Sequence, residues 1–388
     1  MIRMNDSLKL FAWLVSGTTL PAMLIASLAL YPIRKHAIRL GLMDRPGGHK
    51  GHDNPTPSGG GIGVWLGIVA TFAIATAILY SDALLALLSE KVDERLSVYA
   101  EGGRNRVERL WMLMAGGTVL VVTGFIDDRR GLPWQSRLGI QFAVAAFTVY
   151  GLGIGLTAYI EAAWLTNLLS VLWIVAVINS FNMLDNMDGL SGGVAAIIAA
   201  AMATVMLSTP NPGMVEPQLF LGATLLVLAG ALCGFLFHNR PPAKIFMGDA
   251  GSYFVGFLIA VTMLMATYAG GGVGPDVGAM RPHAVLTPLC VMAVPLYDMS
   301  TVLWIRVREG RSPFVGDRSH FSHRLVELGM TRTRAVLTIY LVTATCGLAA
   351  ILLTHVNVLQ ALTVLGIVGC MLLLIGILES TRWRNEET

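Results

Sequence analysis

Eleven apolar runs divide the chain, at 10–31, 61–80, 110–126, 138–158, 164–181, 190–208, 219–237, 251–269, 284–305, 334–354 and 357–378. A helix rises about 1.5 Å per residue, so roughly 20 apolar residues cross the hydrocarbon of a bilayer. Inside lipid the backbone must satisfy its own hydrogen bonds, and separate runs of this length do so as helices. The pattern predicts an all-α integral membrane protein: a polytopic bundle of ten or eleven transmembrane helices, with residues 1–388 as one domain. The first run contains Ser27-Leu28-Ala29, a passable signal-peptidase site. It is longer than a signal core of about 7–15 residues and reads as an uncleaved anchor. No internal repeat stands out, and Gly270-Gly271-Gly272 reads as a flexible connection.

The connections are charged unevenly. Of the 27 Lys and Arg residues, 19 fall in 32–60, 127–137, 238–250, 306–334 and the tail from 379, and 8 on the opposite side. Lys and Arg favour cytoplasmic connections, so the richer side is expected in the cytoplasm, with the N-terminus outside. Residues 81–109 carry five basic and six acidic residues and read as a short amphipathic helix on the outer surface. Composition agrees with the membrane reading: 13% of residues are charged, against about 25% in soluble domains. The net charge of +3 gives no reason to expect a nucleic-acid partner. Cys233, Cys290, Cys346 and Cys370 lie inside apolar runs, without metal spacing, and read as small buried hydrophobes.

The polar clusters all fall on the basic side. Asn182, Asp185 and Asp188 recur every third residue between two runs. On a helix, positions three apart share a face, so they are expected to cover one arc at the end of a span. Carboxylates near hydrocarbon are costly and are kept for a reason, although Asn and Asp also serve as plain helix caps. Asp127 and Asp128 end the third run. Adjacent helix positions point about 100° apart, which predicts different work for the two, the alternative being a charged interfacial cap. Asp249 opens the eighth run, in Phe246-Met247-Gly248-Asp249-Ala250-Gly251-Ser252, as a cap or a metal ligand. Its helix start is expected to offer open backbone N–H groups to phosphate. If the five carboxylates converge they need a cation, and Mg²⁺, with Mn²⁺ as substitute, suits oxygen ligands.

Three further features complete the set. A basic loop with Lys50 and His52 leads into the Gly-rich helix start Gly59-Gly60-Gly61, either an anion site or an ordinary positive loop. In Asp317–Leu325, Arg318 and Arg324 carry permanent charge suited to phosphate oxygens. His320 and His323, three apart with no third soft ligand, point to anion binding or proton transfer rather than zinc, unless the loop is simply a solvated basic one. Asp298 lies inside the ninth run, as a functional acid or paired to an arginine; both readings stay open.

Together the Asp127-Asp128 pair, Asn182-Met183-Leu184-Asp185-Asn186-Met187-Asp188-Gly189-Leu190, the Phe246–Ser252 segment and the Asp317–Leu325 loop resemble, in order and spacing, the four signature motifs of the polyprenyl-phosphate N-acetylhexosamine-1-phosphate transferases. The resemblance implies a Mg²⁺-dependent transfer of a sugar 1-phosphate, N-acetylglucosamine 1-phosphate by the form of the loop, from a UDP-N-acetylhexosamine to undecaprenyl phosphate. UMP is released and a lipid-linked cell-envelope glycan begun. It implies Asp249 as metal ligand and catalytic residue, Asp127 and Asp128 as the pair that orients or deprotonates the lipid phosphate, and His320 and His323 as catalytic. Asn182 and Asp185 would lie near ribose and pyrophosphate, and Asp188, Asn239 and Phe246 near uracil, with Lys50, Arg318 and Arg324 as further substrate contacts. A homodimer is compatible with it. The loop departs from the family pattern where Ser322 replaces a histidine. Two rivals remain: a phospho-N-acetylmuramoyl-pentapeptide transferase, and a secondary transporter, whose ionisable groups would sit at the midplane of repeated halves.

Overall fold

The computed structural model describes residues 2–44, 55–91, 96–156, 160–208, 218–269, 285–314 and 316–380. In chain order the elements are α1 (Ile2–Leu40), β1 (Met43–Asp44), β2 (Thr56–Pro57), α2 (Gly60–Leu79), α3 (Asp82–Lys91), α4 (Leu96–Arg130) and α5 (Trp134–Ala146). A π-helical turn, Phe147–Gly151, extends α5. Then come α6 (Ala163–Leu184), α7 (Leu190–Ser208), α8 (Leu219–Asn239), α9 (Gly248–Ala269), α10 (Thr287–Val291), α11 (Ala293–Arg308), α12 (Phe321–Glu327), α13 (Arg332–Leu353) and α14 (Val358–Ser380). Among the described residues nine helices are long and apolar enough to cross a membrane. The protein is a polytopic helical membrane protein.

Helix α9 is the axis of the bundle. Its apolar window is 94% buried, against 17% for α1 and α14, which belong to the lipid-facing rim. Helices α2, α4 and α6 pack around α9, while α1 lies along α8, α8 along α7 and α7 along α13. Tyr253, Phe254 and Phe257 of α9 fill the centre with Ile178 and Phe181 of α6. Lipid is as apolar as leucine, so helix pairs in a membrane rely on close packing and on polar contacts. Both are present. Trp65 Nε1 donates to Thr118 Oγ1 at 3.0 Å between α2 and α4. Asn179 Nδ2 of α6 donates to Gln141 Oε1 of α5 at 2.6 Å. A Cβ on Gly124 of α4 would sit 2.3 Å from the amide nitrogen of Ala250, so glycine there lets α4 press directly on the start of α9.

The structure departs from the sequence pattern in three places. The ninth run is two helices, α10 and α11, meeting at Met292. Pro295 has no N–H to give to the carbonyl one turn back, so the helix is interrupted there. The fourth run is α5 with its π-helical turn, and lies outside the nine long apolar helices. A two-stranded antiparallel ladder, Met43 with Pro57 and Asp44 with Thr56, was not foreseen in an all-helical chain. In the 81–109 connection α3 forms, and Arg104 ties α4 back to the end of α2 through Leu79 O at 2.7 Å and to α3 through Asp82 at 3.3 Å.

The contact at Gly124 is testable against a control on the same helix. Gly102 has nothing within 4 Å of where its Cβ would be. Gly124→Ala is expected to cost about 1–3 kcal/mol through overpacking. Gly102→Ala should be neutral or stabilise by about 0.4–1 kcal/mol. Thermal unfolding in detergent separates them, and equal melting temperatures would refute the close approach.

Candidate active site

Four helix ends meet at one end of α9: the last turn of α4, the first of α5, the last of α6 and the first of α9. A helix start leaves backbone N–H groups without partners. At α9 two of them are taken by Asp128, whose Oδ1 accepts from Asp249 N at 2.9 Å and whose Oδ2 accepts from Ala250 N at 3.3 Å. Gly248, at φ 72°, makes room: a Cβ there would fall 2.5 Å from Asp128 Oδ2. The cap of α9 is therefore Asp128 and not Asp249, and these N–H groups do not stand open for phosphate. Asp249 is left with its carboxylate directed among α4, α5 and α6. Its Oδ1 accepts from Asn182 Nδ2 at 2.6 Å, and the same amide donates to Ser252 Oγ at 3.1 Å.

Asp127 faces elsewhere, as the 100° offset requires. It is buried and accepts from Leu132 N at 2.6 Å, Arg137 at 3.0 Å and the Tyr253 hydroxyl at 3.0 Å. Arg137 Nη1 also lies 3.9 Å from Asp249 Oδ2, so one guanidinium joins the two carboxylates. Sequence reading singled out neither Arg137 nor Tyr253. A signal existed, since Tyr253 lies one helical turn after Asp249 and Arg137 lies in the first turn of α5.

Asn182, Asp185 and Asp188 do not share one helical arc. α6 ends at Leu184 and Asp185 is its C-cap residue. Asn182 turns to Asp249, whereas Asp188 Oδ2 accepts from Ala243 N at 2.9 Å. Removal of the Asp185 carboxyl from water, then the nearby Asp128 charge, raise its pKa to about 7 against a hydrogen bond from Gly248. Asn239 is buried: its Oδ1 accepts from Gly189 N at 2.8 Å and its Nδ2 donates to Ile245 O at 2.8 Å. That pairing holds the 240–247 loop beside α7. Phe246 is half-buried and donates its N–H to Pro57 O at 2.8 Å. The Gly-rich start of α2 is used the same way, Gly60 N reaching Phe246 O at 2.8 Å and Gly61 N reaching Met247 O at 2.9 Å. Those glycines therefore join two backbones, and these two N–H groups are not free for an anion. Lys50 and His52 lie outside the described residues.

The histidine loop closes the other flank. Asp298 of α11 accepts from His320 Nδ1 at 3.0 Å and from Phe321 N at 2.6 Å. Its partner is a histidine and the first amide of α12, not an arginine. His320 and His323 have ring centroids 6.4 Å apart, with His320 just before α12 and His323 within it. Burial first, then the charges of His320, Arg318 and Arg332, lower the His323 pKa to about 4. Its ring is neutral at pH 7 and resists taking a proton. Ser322 donates to Asn186 Oδ1 at 2.5 Å, tying α12 to the segment after α6. Arg318 is exposed, but Arg324 is buried and turned into the protein. Asp317 sits against Arg306 at 3.1 Å and Arg311 at 2.5 Å. Although burial opposes it, the Arg306 hydrogen bond and charge hold its carboxyl well below the usual range.

The donors at this centre are hard oxygens. Among the described residues no three His, Cys, Asp or Glu side chains form a metal cage by themselves. Mg²⁺ needs none, because one or two carboxylates with substrate phosphates and water commonly hold it. Asp249, held by Asn182, fits that mode.

The chain is similar to known proteins over most of its length. A family model described as glycosyl transferase family 4 matches residues 110–267. A Bacillus subtilis (strain 168) protein named "Probable undecaprenyl-phosphate N-acetylglucosaminyl 1-phosphate transferase" is 30% identical over 372 residues, covering 94% of this chain and 91% of that one. A Mycobacterium tuberculosis (strain ATCC 25618 / H37Rv) decaprenyl-phosphate N-acetylglucosaminephosphotransferase is 34% identical, covering 83% of this chain and 78% of that one. The undecaprenyl-phosphate alpha-N-acetylglucosaminyl 1-phosphate transferase of Escherichia coli (strain K12) is 30% identical, covering 89% and 83%.

Two predictions follow the geometry of the carboxylates and the loop. Asp128→Asn keeps one capping oxygen but turns an N–H donor toward the second amide, so one of the two N–H groups loses its acceptor, at about 1–3 kcal/mol of stability. Asp127→Asn breaks a buried charge pair, which costs about 3–5 kcal/mol where the remaining ion cannot reach water and less for the partly exposed Arg137. Thermal unfolding should therefore rank Asp127→Asn as the less stable variant, and equal shifts would count against separate roles. His323 supplies the second. Between pH 6.5 and 4 an unfolded histidine takes a proton that folded His323 refuses, so the native state loses stability as pH falls through that window. Wild type should lose more melting temperature between pH 7 and pH 5 than His323→Gln. Parallel curves would show that His323 is not held neutral.

Proposed function

Because the chain belongs to the polyprenyl-phosphate N-acetylglucosamine-1-phosphate transferases of glycosyl transferase family 4, we propose that it transfers N-acetylglucosamine 1-phosphate from UDP-N-acetylglucosamine to undecaprenyl phosphate. UMP is released, and the product starts a lipid-linked glycan of the cell envelope. The observation that carries this reading is the release of Asp249 from capping. With Asp128 on the α9 amides, Asp249 is the carboxylate left to meet a ligand.

Phosphoryl transfer asks a protein chiefly to position its reactants and to neutralise spreading negative charge. An oxygen of the lipid phosphate attacks the phosphorus that bears the sugar, and the bridging oxygen leaves with UMP. Asp249, supported by Asn182, would hold Mg²⁺, which would offset pyrophosphate charge. Arg137 lies between Asp127 and Asp249 and suits an incoming phosphate oxygen. Asp127 fixes Arg137 and the Tyr253 hydroxyl; with three donors on its carboxylate it is poorly placed as a covalent nucleophile, which favours direct attack. Arg318, His320 and His323 face the departing phosphate from the loop side. Asp185 and Asp188 line the nucleotide side, with Phe246 available to stack on a base. Nineteen of the 27 basic residues lie on the side of this site, consistent with a bacterial inner-membrane enzyme that takes its nucleotide from the cytoplasm. Relatives named for N-acetylglucosamine favour that sugar over the muramyl-pentapeptide. A transporter would hold its ionisable groups near the midplane, not at helix ends.

The test is exchange of radiolabelled UMP in purified enzyme supplied with undecaprenyl phosphate and either UDP-N-acetylglucosamine or UDP-muramyl-pentapeptide. Exchange is expected with the first alone, and its absence with both would refute the activity. Asp249→Asn should remain folded, fall by about 100-fold or more in turnover, and need more Mg²⁺ for what remains. Wild-type turnover at low Mg²⁺ would remove the metal from Asp249.

A further inference from the structure

The last helix ends on a buried acid that the transfer chemistry does not use. Glu379, one residue from the end of α14, is 9% exposed. Its Oε2 accepts from Arg324 Nε at 3.0 Å and from the Tyr297 hydroxyl at 2.9 Å. The rest of the Arg324 guanidinium is also committed: Nη2 donates to Thr301 Oγ1 at 3.0 Å, and Nη1 donates to the carbonyl of Ser319. Arg324 is 8% exposed. An arginine held on three sides in the interior is not presented to a phosphate, although its sequence position beside His323 suggested that role.

We propose that Glu379 is a positioning residue for the histidine loop, acting through Arg324 and Tyr297. α12 is seven residues long, too short to be stable without tertiary contacts. Its start is fixed by Asp298, through His320 and the Phe321 amide. Its middle is fixed by Arg324, whose charge is matched by Glu379. Tyr297 and Asp298 are neighbours on α11, so one turn of that helix supports both anchors. The final span is thereby joined to a loop that precedes it by more than a whole helix in sequence. Asp298 aligns His320, and Glu379 sets where the helix carrying His323 lies.

The inference rests on the transferase reading for its kinetic arm only. Glu379→Gln keeps the shape and removes the charge. Turnover should fall by about 10- to 100-fold, while KM for UDP-N-acetylglucosamine changes by less than about threefold. Arg324→Gln should behave alike, and the double variant should be no slower than the worse single one, because both act on one contact. Backbone hydrogen exchange supplies a readout that needs no activity: protection should be lost over 317–328 and kept in α13 and α14. If wild type exchanges no UMP, the transferase reading fails, and hydrogen exchange still decides the clamp. Turnover within about twofold of wild type, multiplying losses in the double variant, or exchange spread through α13 and α14 would each overturn the positioning role.

Discussion

The first turn of α9 places backbone N–H groups at the meeting point of four helices, and the Asp128 carboxylate takes two of them. Unsatisfied amides in so buried a place would each cost several kcal/mol, and the positive end of the α9 dipole adds to the attraction for an anion. This one contact fixes the height of α4 against α9. It explains why Gly124 and Gly248 carry no side chain, since a Cβ on either would lie within 2.5 Å of atoms in the contact. It also decides the work of the neighbouring acids. With Asp128 as the cap, Asp249 is released, and Asp127, turned about a quarter of the way round α4, meets Arg137 and Tyr253.

The membrane architecture was legible because lipid enforces it. A run of about 20 apolar residues has few alternatives to a helix, so every run has helical counterparts in the structure. The break at Met292 was harder to read, although Pro295 marked it, because the run stays apolar across the proline and hydropathy does not register a missing N–H. The ladder between Met43–Asp44 and Thr56–Pro57 has no apolar period at all. Such short pairings are fixed by their surroundings, here by Pro57, Gly60 and Gly61 bonding to Phe246 and Met247.

Of the site, the acids were visible and their partners were not. Asp127, Asp128, Asp185, Asp188 and Asp249 stand out because charge is rare in this chain. Arg137 and Tyr253 do not, since an arginine at a membrane edge and a tyrosine in an apolar helix are both ordinary. Periodicity also misled where a helix stopped. Asn182, Asp185 and Asp188 have helical spacing, but α6 ends at Leu184, and beyond it each side chain turns to a different neighbour. Spacing describes a shared face only while the helix lasts.

The ninth span shows what the interrupted helix makes possible. α10 packs beside α13 and α7, whereas α11 turns to α6. Both halves touch α13, but the main contact shifts from α13 for α10 to α6 for α11. On α11, Asp298 then reaches His320 and the Phe321 amide. A buried acid in a span usually signals transport or proton relay. Here both oxygens of the Asp298 carboxylate accept from the start of α12, which makes it an anchor for a loop at the end of the bundle. Ser322 meets Asn186 on the opposite side of α12, so α12 is held to the α6–α7 turn as well as to α11. Bases from a late loop and acids from the ends of three earlier helices, α4, α6 and α9, are thus brought to one end of the molecule, and the proline that breaks the span is part of what brings them there.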